Sequence, residues 1–415
     1  MAKRWIVLLL ISISAVAEPV TAAADTIPDY STTLTGDWGG TRSAMHNAGY
    51  DWEIVYKLDL LGQVSRPADK AYGLDNLDIK LALDGGKIAG MDGSSALLYV
   101  LSNRGGKPSA LAGHSAGVDN IETPEDANTT KLYQAWVQQN FLQDRLSVLA
   151  GLYDLNSEFY VTESASLFIQ PVYGIGAEFA GTGQNGPSIF PTTSFGMRVK
   201  AQAGGYYLQA AVLDGVPGDP NNPHGTHIQF NKGDGALDVV EGSIPLGAAE
   251  NAHDNRLSLG VWQYTARFDD LTDVDAGGNP VKRLSHGGYA MLEKVLREPG
   301  SAHAGISGFM RAGKNDGDTV QFDMSWSTGL VFSGLLPGRG QDQFGVAYAQ
   351  ERNGEKWRIF SGNPAVFERS LEITYRYSAT PAVVLQPDAQ YLISHSNDPA
   401  GDRNWWLGLR VEMSL

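Results

Sequence analysis

The chain closes on Trp405-Trp-Leu-Gly-Leu-Arg-Val-Glu-Met-Ser-Leu415, and this stretch decides the fold. Trp405, Leu407, Leu409, Val411, Met413 and Leu415 fall on one face of an extended strand, while Trp406, Gly408, Arg410, Glu412 and Ser414 fall on the other. Side chains alternate across a strand with a period of two, so the segment has one greasy face and one wet face. Its length suits a tilted strand crossing ~30 Å of hydrocarbon. A soluble sandwich strand also alternates, but its apolar face does not usually run through to an apolar last residue. The stretch reads as the closing strand of a membrane barrel.

Working back from it, the same alternation recurs. Asp51–Gly62 sets Trp52, Ile54, Tyr56, Leu58 and Leu60 against Glu53, Lys57 and Asp59. Asp75–Asp84, Arg145–Tyr153, Gln321–Phe332 and Arg369–Tyr377 behave alike. Weaker candidates lie at 95–103, 131–139, 193–200, 206–213, 235–245, 256–265, 288–297, 302–311, 343–351 and 383–393, which brings the total to sixteen. The faces of 131–139 and 288–297 are ambiguous. Bacterial barrels have an even number of strands, with short periplasmic turns alternating with long external loops. Asn140–Asp144, Ala201–Gly205, Glu298–Ser301 and Ser378–Ala382 are short. Arg104–Thr130, Asp154–Thr192, Asp214–Asp234, Ala266–Gly287 and Arg352–Glu368 are long and rich in Gly, Pro, Asn and Asp. The phase fits if both termini are periplasmic. Ala312–Thr319 and Ser333–Gln341, of similar length, break it.

At the other end, Lys3 and Arg4 precede an apolar run from Trp5 to Val16. This reads as a secretory leader within residues 1–24, cleaved after Ala17 or Ala24, and is too short for a stable transmembrane helix. Residues 25–50 form an N-terminal segment and 51–415 the barrel. In the N-terminal segment, Thr41–Ala48 has helical propensity and ends at Gly49, suited to a helix C-terminus. A short helix is expected at the periplasmic mouth or inside the lumen, with an ordinary flap as the alternative. The 415 residues include no Cys and 49 Gly, with formal net charge −15. Disulfide staples are excluded, and clustered cations for nucleic acid are missing. Mean hydropathy is −0.20, the average of a chain whose strands face water on one side. The acidic balance reads as a solubility device of the loops.

Leu34-Thr-Gly-Asp-Trp-Gly-Gly-Thr-Arg42 resembles the opening motif of the carbohydrate-selective outer-membrane porins of the OprB type. Asn120-Ile-Glu-Thr through Thr130-Lys-Leu-Tyr-Gln-Ala-Trp136, Gly151-Leu-Tyr-Asp-Leu-Asn-Ser-Glu-Phe159 with Leu167-Phe-Ile169, Leu385-Gln-Pro-Asp-Ala-Gln-Tyr391 and Gly408-Leu-Arg-Val-Glu412 are similar to later segments of that family, in the same order. Leu415 stands where the family usually ends in Phe. The resemblance implies an all-β, sixteen-stranded antiparallel transmembrane barrel with an inward-folded constriction loop. It also implies passive diffusion of small sugars across the outer membrane.

A sugar offers hydroxyls and apolar C–H faces, so its pore needs charged or amide groups and aromatic surfaces that do not hold too tightly. By strand parity the wet-face candidates are Asp59, Arg198, Gln209, Arg311, Glu372, Arg376, Asp388, Gln390 and Arg410. Arg on a lipid face costs ~2–4 kcal/mol near the midplane, which turns Arg311 and Arg376 inward. Each such residue can brace the wall or touch substrate. Asp154–Thr192 is the candidate constriction loop, with Glu163–Ile169 as one helical turn or two. Its Asp154, Asn156 and Glu158 are expected to oppose a basic stripe of Arg198, Arg311, Arg376 and Arg410 across the opening. A surface loop is the plain alternative.

Other chemistry is poorly supported. The eight His residues lack metal-ligand spacing, so neither metal nor cofactor is expected. Asp269–Gly278 is acidic but lacks the terminal Glu of an EF-hand loop. No Gly-x-Ser-x-Gly elbow marks a hydrolase. The expected partners are small sugars and outer-membrane lipid, with a homo-oligomer, trimer or monomer left open. The alternatives to a sugar channel are a general cation-tolerant porin, suggested by the acidic balance, and a barrel enzyme.

Overall fold

Strands standing in lipid have no water to satisfy their edges, so the sheet must close on itself. The computed structural model describes residues 27–64, 71–247, 254–299, 304–394 and 404–415, and in it the sheet closes. The leader segment lies outside the described residues. The first eight strands are β1 Tyr50–Gln63, β2 Ala71–Asp84, β3 Ser94–Arg104, β4 Thr129–Phe141, β5 Leu146–Tyr153, β6 Ser194–Ala203, β7 Tyr206–Asp214 and β8 Ala236–Pro245. The second eight are β9 Arg256–Val274, β10 Pro280–Arg297, β11 Gly305–Asn315, β12 Phe322–Ser333, β13 Gln343–Asn353, β14 Phe367–Thr380, β15 Val383–Ser394 and β16 Asn404–Ser414. Each pairs antiparallel with its chain neighbour, and β1 pairs with β16, setting Leu58 opposite Val411 and Asp59 opposite Arg410.

The closing strand has the faces its alternation predicts: Leu407 is 52 % exposed on the outer wall and Trp406 is 1 % exposed inside. Trp405 and Tyr377 stand on that outer wall. The two ambiguous strands have physical causes. In β4 the register slips at Tyr99/Val100, so Tyr133 is an extra residue and the period of two is lost. In β10 the inward face is Tyr289, Met291 and Glu293, a mixed set that packs inside a filled lumen.

One connection differs from expectation. Ala266–Gly287 is not a long loop: β9 and β10 continue to Val274 and from Pro280 as a polar hairpin. Alternation of apolar residues stops where the wall leaves hydrocarbon, so the sequence signal ends before the strand does. The acidic run on this hairpin is neutralised within the chain. Lys356 Nζ lies 2.5 Å from Asp270, 2.9 Å from Asp273 and 2.9 Å from Asp318, and Arg283 adds contacts to Asp270 and Asp273. Lys356 belongs to a helix, Glu355–Ser361, inside what the sequence reads as a loop. The anomalous pair persists, since 316–321 is shorter than 334–342.

The N-terminal helix forms over Thr41–Asn47, at the end of the barrel that carries Leu415. Arg42 is its anchor. The guanidinium is buried under Tyr30 and Trp38, at 4.4 and 4.9 Å from their ring centres. Nη1 donates to the Leu415 carbonyl at 3.1 Å and Nη2 to the Trp52 carbonyl at 2.9 Å, so one side chain ties the N-terminal segment to both strands of the closing seam. Arg42→Ala is expected to destabilise the barrel by about 2–3 kcal/mol, the worth of charge-assisted hydrogen bonds lost at a buried site. A lower temperature for the folded-to-unfolded shift in gel mobility checks this. An unchanged transition would mean that the seam holds without Arg42.

Candidate functional site

The β5–β6 connection, 154–193, is unusually greasy for a loop, with Phe159, Tyr160, Phe168, Ile169, Val172, Tyr173 and Phe179 all buried. Hydrophobic burial is non-directional and takes whatever apolar surface is near. Here that surface is the inward wall. Phe179 stacks on Trp262 with ring centres 4.6 Å apart, and Tyr160 stacks on Tyr289 at 3.9 Å. Wall glycines make the room. A Cβ at Gly345 would sit 2.7 Å from Leu167 and 2.8 Å from Phe168, closer than packed atoms approach. The loop therefore folds into the barrel, and the stretch Ser164–Leu167 forms a single 3-10 turn.

A loop inside a lumen leaves its backbone N–H groups buried, and each unpaired one costs about 1–3 kcal/mol. Wall carboxylates accept them. Glu293 takes Glu163 N at 3.0 Å and Ser164 N at 2.5 Å. Glu372 takes Ile169 N at 2.6 Å and Gln170 N at 3.0 Å. Glu241 takes Tyr160 N at 2.9 Å together with the Tyr207 and Tyr289 hydroxyls. The β3–β4 connection, which the sequence does not single out, is held likewise: Glu368 takes Ser115 N and Ala116 N, both at 2.9 Å. Wall amides catch loop carbonyls: Gln209 donates to Glu158, Gln386 to Leu167 and Gln390 to Val118. Of the four wall carboxylates only Glu372 was a sequence candidate. Parity turns Glu241 inward, but the faces around Glu293 are ambiguous, Glu368 falls in a stretch that reads as loop, and nothing in the chain names their partners.

The expected basic stripe facing Asp154, Asn156 and Glu158 does not form. Each Arg has a partner of its own. Arg198 forks onto Glu158 at 2.7 and 2.9 Å and reaches Gln138 and Ser147. Arg410 forks onto Asp59 at 2.8 and 2.6 Å and reaches Asn120. Arg376 meets Glu412 at 3.0 Å. Arg311 donates to the Tyr173 and Gly174 carbonyls and lies over the Tyr160 ring. Asp154 accepts from Tyr133 Oη at 2.7 Å and caps the turn at Asn156 N; burial pushes its carboxyl up to about 6 against those hydrogen bonds. Asn156 spans the Phe159 and Gly174 carbonyls. Asp388 accepts from Gln390 at 2.9 Å. The physical reason is desolvation. A buried charge needs a contact partner, so opposite charges meet rather than oppose each other across water.

What stays wet on the inward faces is a different set. Lys80, Lys200, Arg256 and Arg376 keep part of their side chains in solvent, as does Glu53. All five lie in the half of the barrel nearer Leu415, below the pinned loop. Of these, only Arg376 was a pathway candidate from the sequence, although Glu53 was placed on a wet face. The others had the same signal, a charged residue at wet parity, without a loop motif to draw attention to them.

The family profile described as carbohydrate-selective porin, OprB family, matches residues 69–415. The chain belongs to this family. Porin B of Pseudomonas aeruginosa is 24 % identical over 355 residues, covering 79 % of this chain and 75 % of that one. The high-pH structure of Pseudomonas putida OprB superposes with a TM-score of 0.79 at 22 % identity, over 94 % of this chain and all of that one. Its low-pH structure gives 0.60 at 18 % identity over the same shares. At these identities the structural likeness speaks for the fold. The family and the barrel together point to an outer-membrane channel rather than an enzyme.

Glu372→Ala would leave two loop donors without their acceptor and would also remove the carboxylate's contact with Asp388 on the neighbouring strand. The barrel is expected to fold, with the loop loosened by about 1–3 kcal/mol per orphaned N–H. Single-channel recording should show larger, noisier conductance than wild type. Wild-type conductance and noise would mean that the apolar contacts alone hold the loop.

Proposed function

We propose that this porin passes small sugars by passive diffusion through the space left beside the pinned loop, with both termini on the periplasmic side and a leader removed on export after Ala17 or Ala24. Family membership supplies the transport class. The observation that carries the mechanism is the division of labour in the lumen. Loop and wall polar groups satisfy one another above, while Lys80, Lys200, Arg256, Arg376 and Glu53 remain hydrated below. A hydrated ring of donors and acceptors can exchange its water for sugar hydroxyls at little net cost, which lets a solute bind weakly and leave. Guanidinium groups, always charged and with several donors, suit a polyol.

The roles of the sequence candidates divide accordingly. Asp59, Asp154, Asn156, Glu158, Arg198, Gln209, Arg311, Asp388 and Arg410 act on this reading as the frame that sets the width of the passage. Arg376 is the member that touches substrate. The long-loop end faces outside, and the wall from Gln63 down to Tyr50 spans the membrane.

Liposome swelling tests the reading. Monosaccharides are expected to permeate faster than amino acids of equal size, and equal rates for all would remove the sugar preference. Arg376→Ala should lower sugar flux severalfold and leave the loop in place. Arg311→Ala should instead alter conductance and open-state noise, because its donors hold loop carbonyls.

A further inference from the structure

We infer that the outer wall over β11–β14 docks a phosphorylated, multiply acylated glycolipid of the outer leaflet, the chemistry of lipid A; this rests on the orientation given above, with the long-loop end outside. Through the middle of these four strands the outward side chains are apolar, with Met310, Leu330, Val346 and Leu371 one to a strand. Trp326 and Tyr348 close this band on the long-loop side, with ring centres 5.2 Å apart. Aromatic rings of this kind gather where hydrocarbon gives way to headgroups.

At that edge the outward positions turn cationic. Register sets Lys314, Met324, Arg352 and Phe367 in one cross-strand row, and Ala312, Trp326, Gln350 and Arg369 in the next. The acids nearby are engaged elsewhere. Asp323 is gripped by Arg352 at 2.7 and 2.9 Å, which balances that cation. Asp316 accepts from the backbone N–H groups of His286 and Asp318 at 2.8 and 2.9 Å. Glu351 and Glu368 point into the lumen, at 1 % and 0 % exposure. Among the described residues, no carboxylate lies within ion-pair distance of Lys314 or Arg369.

Arg369 is held ready for an anion. Its Nε donates to Gln350 Oε1 at 2.8 Å, and its guanidinium carbon lies 4.8 Å from the Phe367 ring centre. Amide and ring fix the guanidinium plane, while its two Nη groups keep their donors. Snorkelling alone would put a long cation at a membrane edge, but it would not clamp one in this way. A fixed guanidinium suits a phosphate in two-pronged fashion, and the exposed Lys314 ammonium suits a second one as a point charge. The two cations stand three strands apart, about 14 Å at the usual strand spacing. A headgroup with a phosphate at each end of a sugar pair spans such a gap. Beneath Lys314 the outward residues are small: Gly288, Ala290 and Ala312. Val261, 60 % exposed, flanks them on one side and Trp326 on the other, so an acyl chain finds a recess below the charge.

The experiment uses the full-length purified protein in detergent and reads the temperature of the folded-to-unfolded gel shift with and without added lipid. Lipid A should raise it by ~3 °C or more, since a ligand of the folded state stabilises by mass action. Dephosphorylated lipid A and inorganic phosphate should each leave it unchanged. A Lys314→Gln, Arg369→Gln double variant should keep the lipid-free transition and lose at least half of the lipid A shift. Lys314→Arg should retain the shift. So should Lys294→Gln, which changes an exposed outward cation near the other end of the barrel. A full shift with dephosphorylated lipid or with phosphate alone would overturn the inference, as would a full lipid A shift in the double variant. Loss of the shift in Lys294→Gln instead would overturn it together with the orientation. Glucose-driven liposome swelling, which the double variant should leave at the wild-type rate, tests the sugar-channel reading separately.

Discussion

A loop's backbone cannot enter a pore without acceptors for its N–H groups, and this constraint governs the rest of the structure. Four glutamates on β8, β10 and β14 meet it, three of them for the 154–193 loop and one for the connection before β4. Because an ionised carboxylate has two oxygens and several lone pairs, one side chain can receive two successive N–H groups. The loop is thereby fixed at several points along its length, between which its aromatic residues stack on the wall. Neither contribution would suffice alone. Apolar contact brings the loop inside without fixing its register, and the carboxylate forks fix the register only once the loop is inside.

The same constraint explains why the conspicuous charges of the sequence are not those of the passage. Arg198, Arg410 and their acidic partners lie where water is scarce, and breaking such a pair by removing one partner typically costs ~3–5 kcal/mol. They set the frame of the lumen. Asp59 and Arg410 add a second duty, since they pair directly across the seam where the first strand meets the last. Together with Arg42 at the chain's end, they bind the closure of the barrel at two heights. Groups free to exchange water for solute are the ones that the frame leaves over.

Much of this was legible in the chain. A period of two is a local property of extended backbone, so Trp405–Leu415 announced its two faces without any neighbour, and fifteen further segments did so with varying clarity. Parity also placed Asp59, Arg198, Arg311 and Arg410 inside, since lipid would not accept their charge. The length of 154–192 and the family resemblance made it the candidate constriction loop, with a surface loop as the alternative. The reading faltered where the local rule was broken or ceased to apply. An extra residue at Tyr133 disturbed β4, and the β9–β10 hairpin outran its apolar pattern.

What the sequence by itself determined is therefore the wall: the number of strands, their closure and, outside β4 and β10, which side of each strand is wet. What only the tertiary structure decided is the partner of each inward group. Glu372 and Ile169 are 203 residues apart, and Glu368 and Ser115 are 253 apart. No periodicity links such positions, because a hydrogen bond between wall and loop depends on where a curved sheet brings distant segments together. Alternation follows from the geometry of one strand, whereas pairing follows from the geometry of the closed barrel.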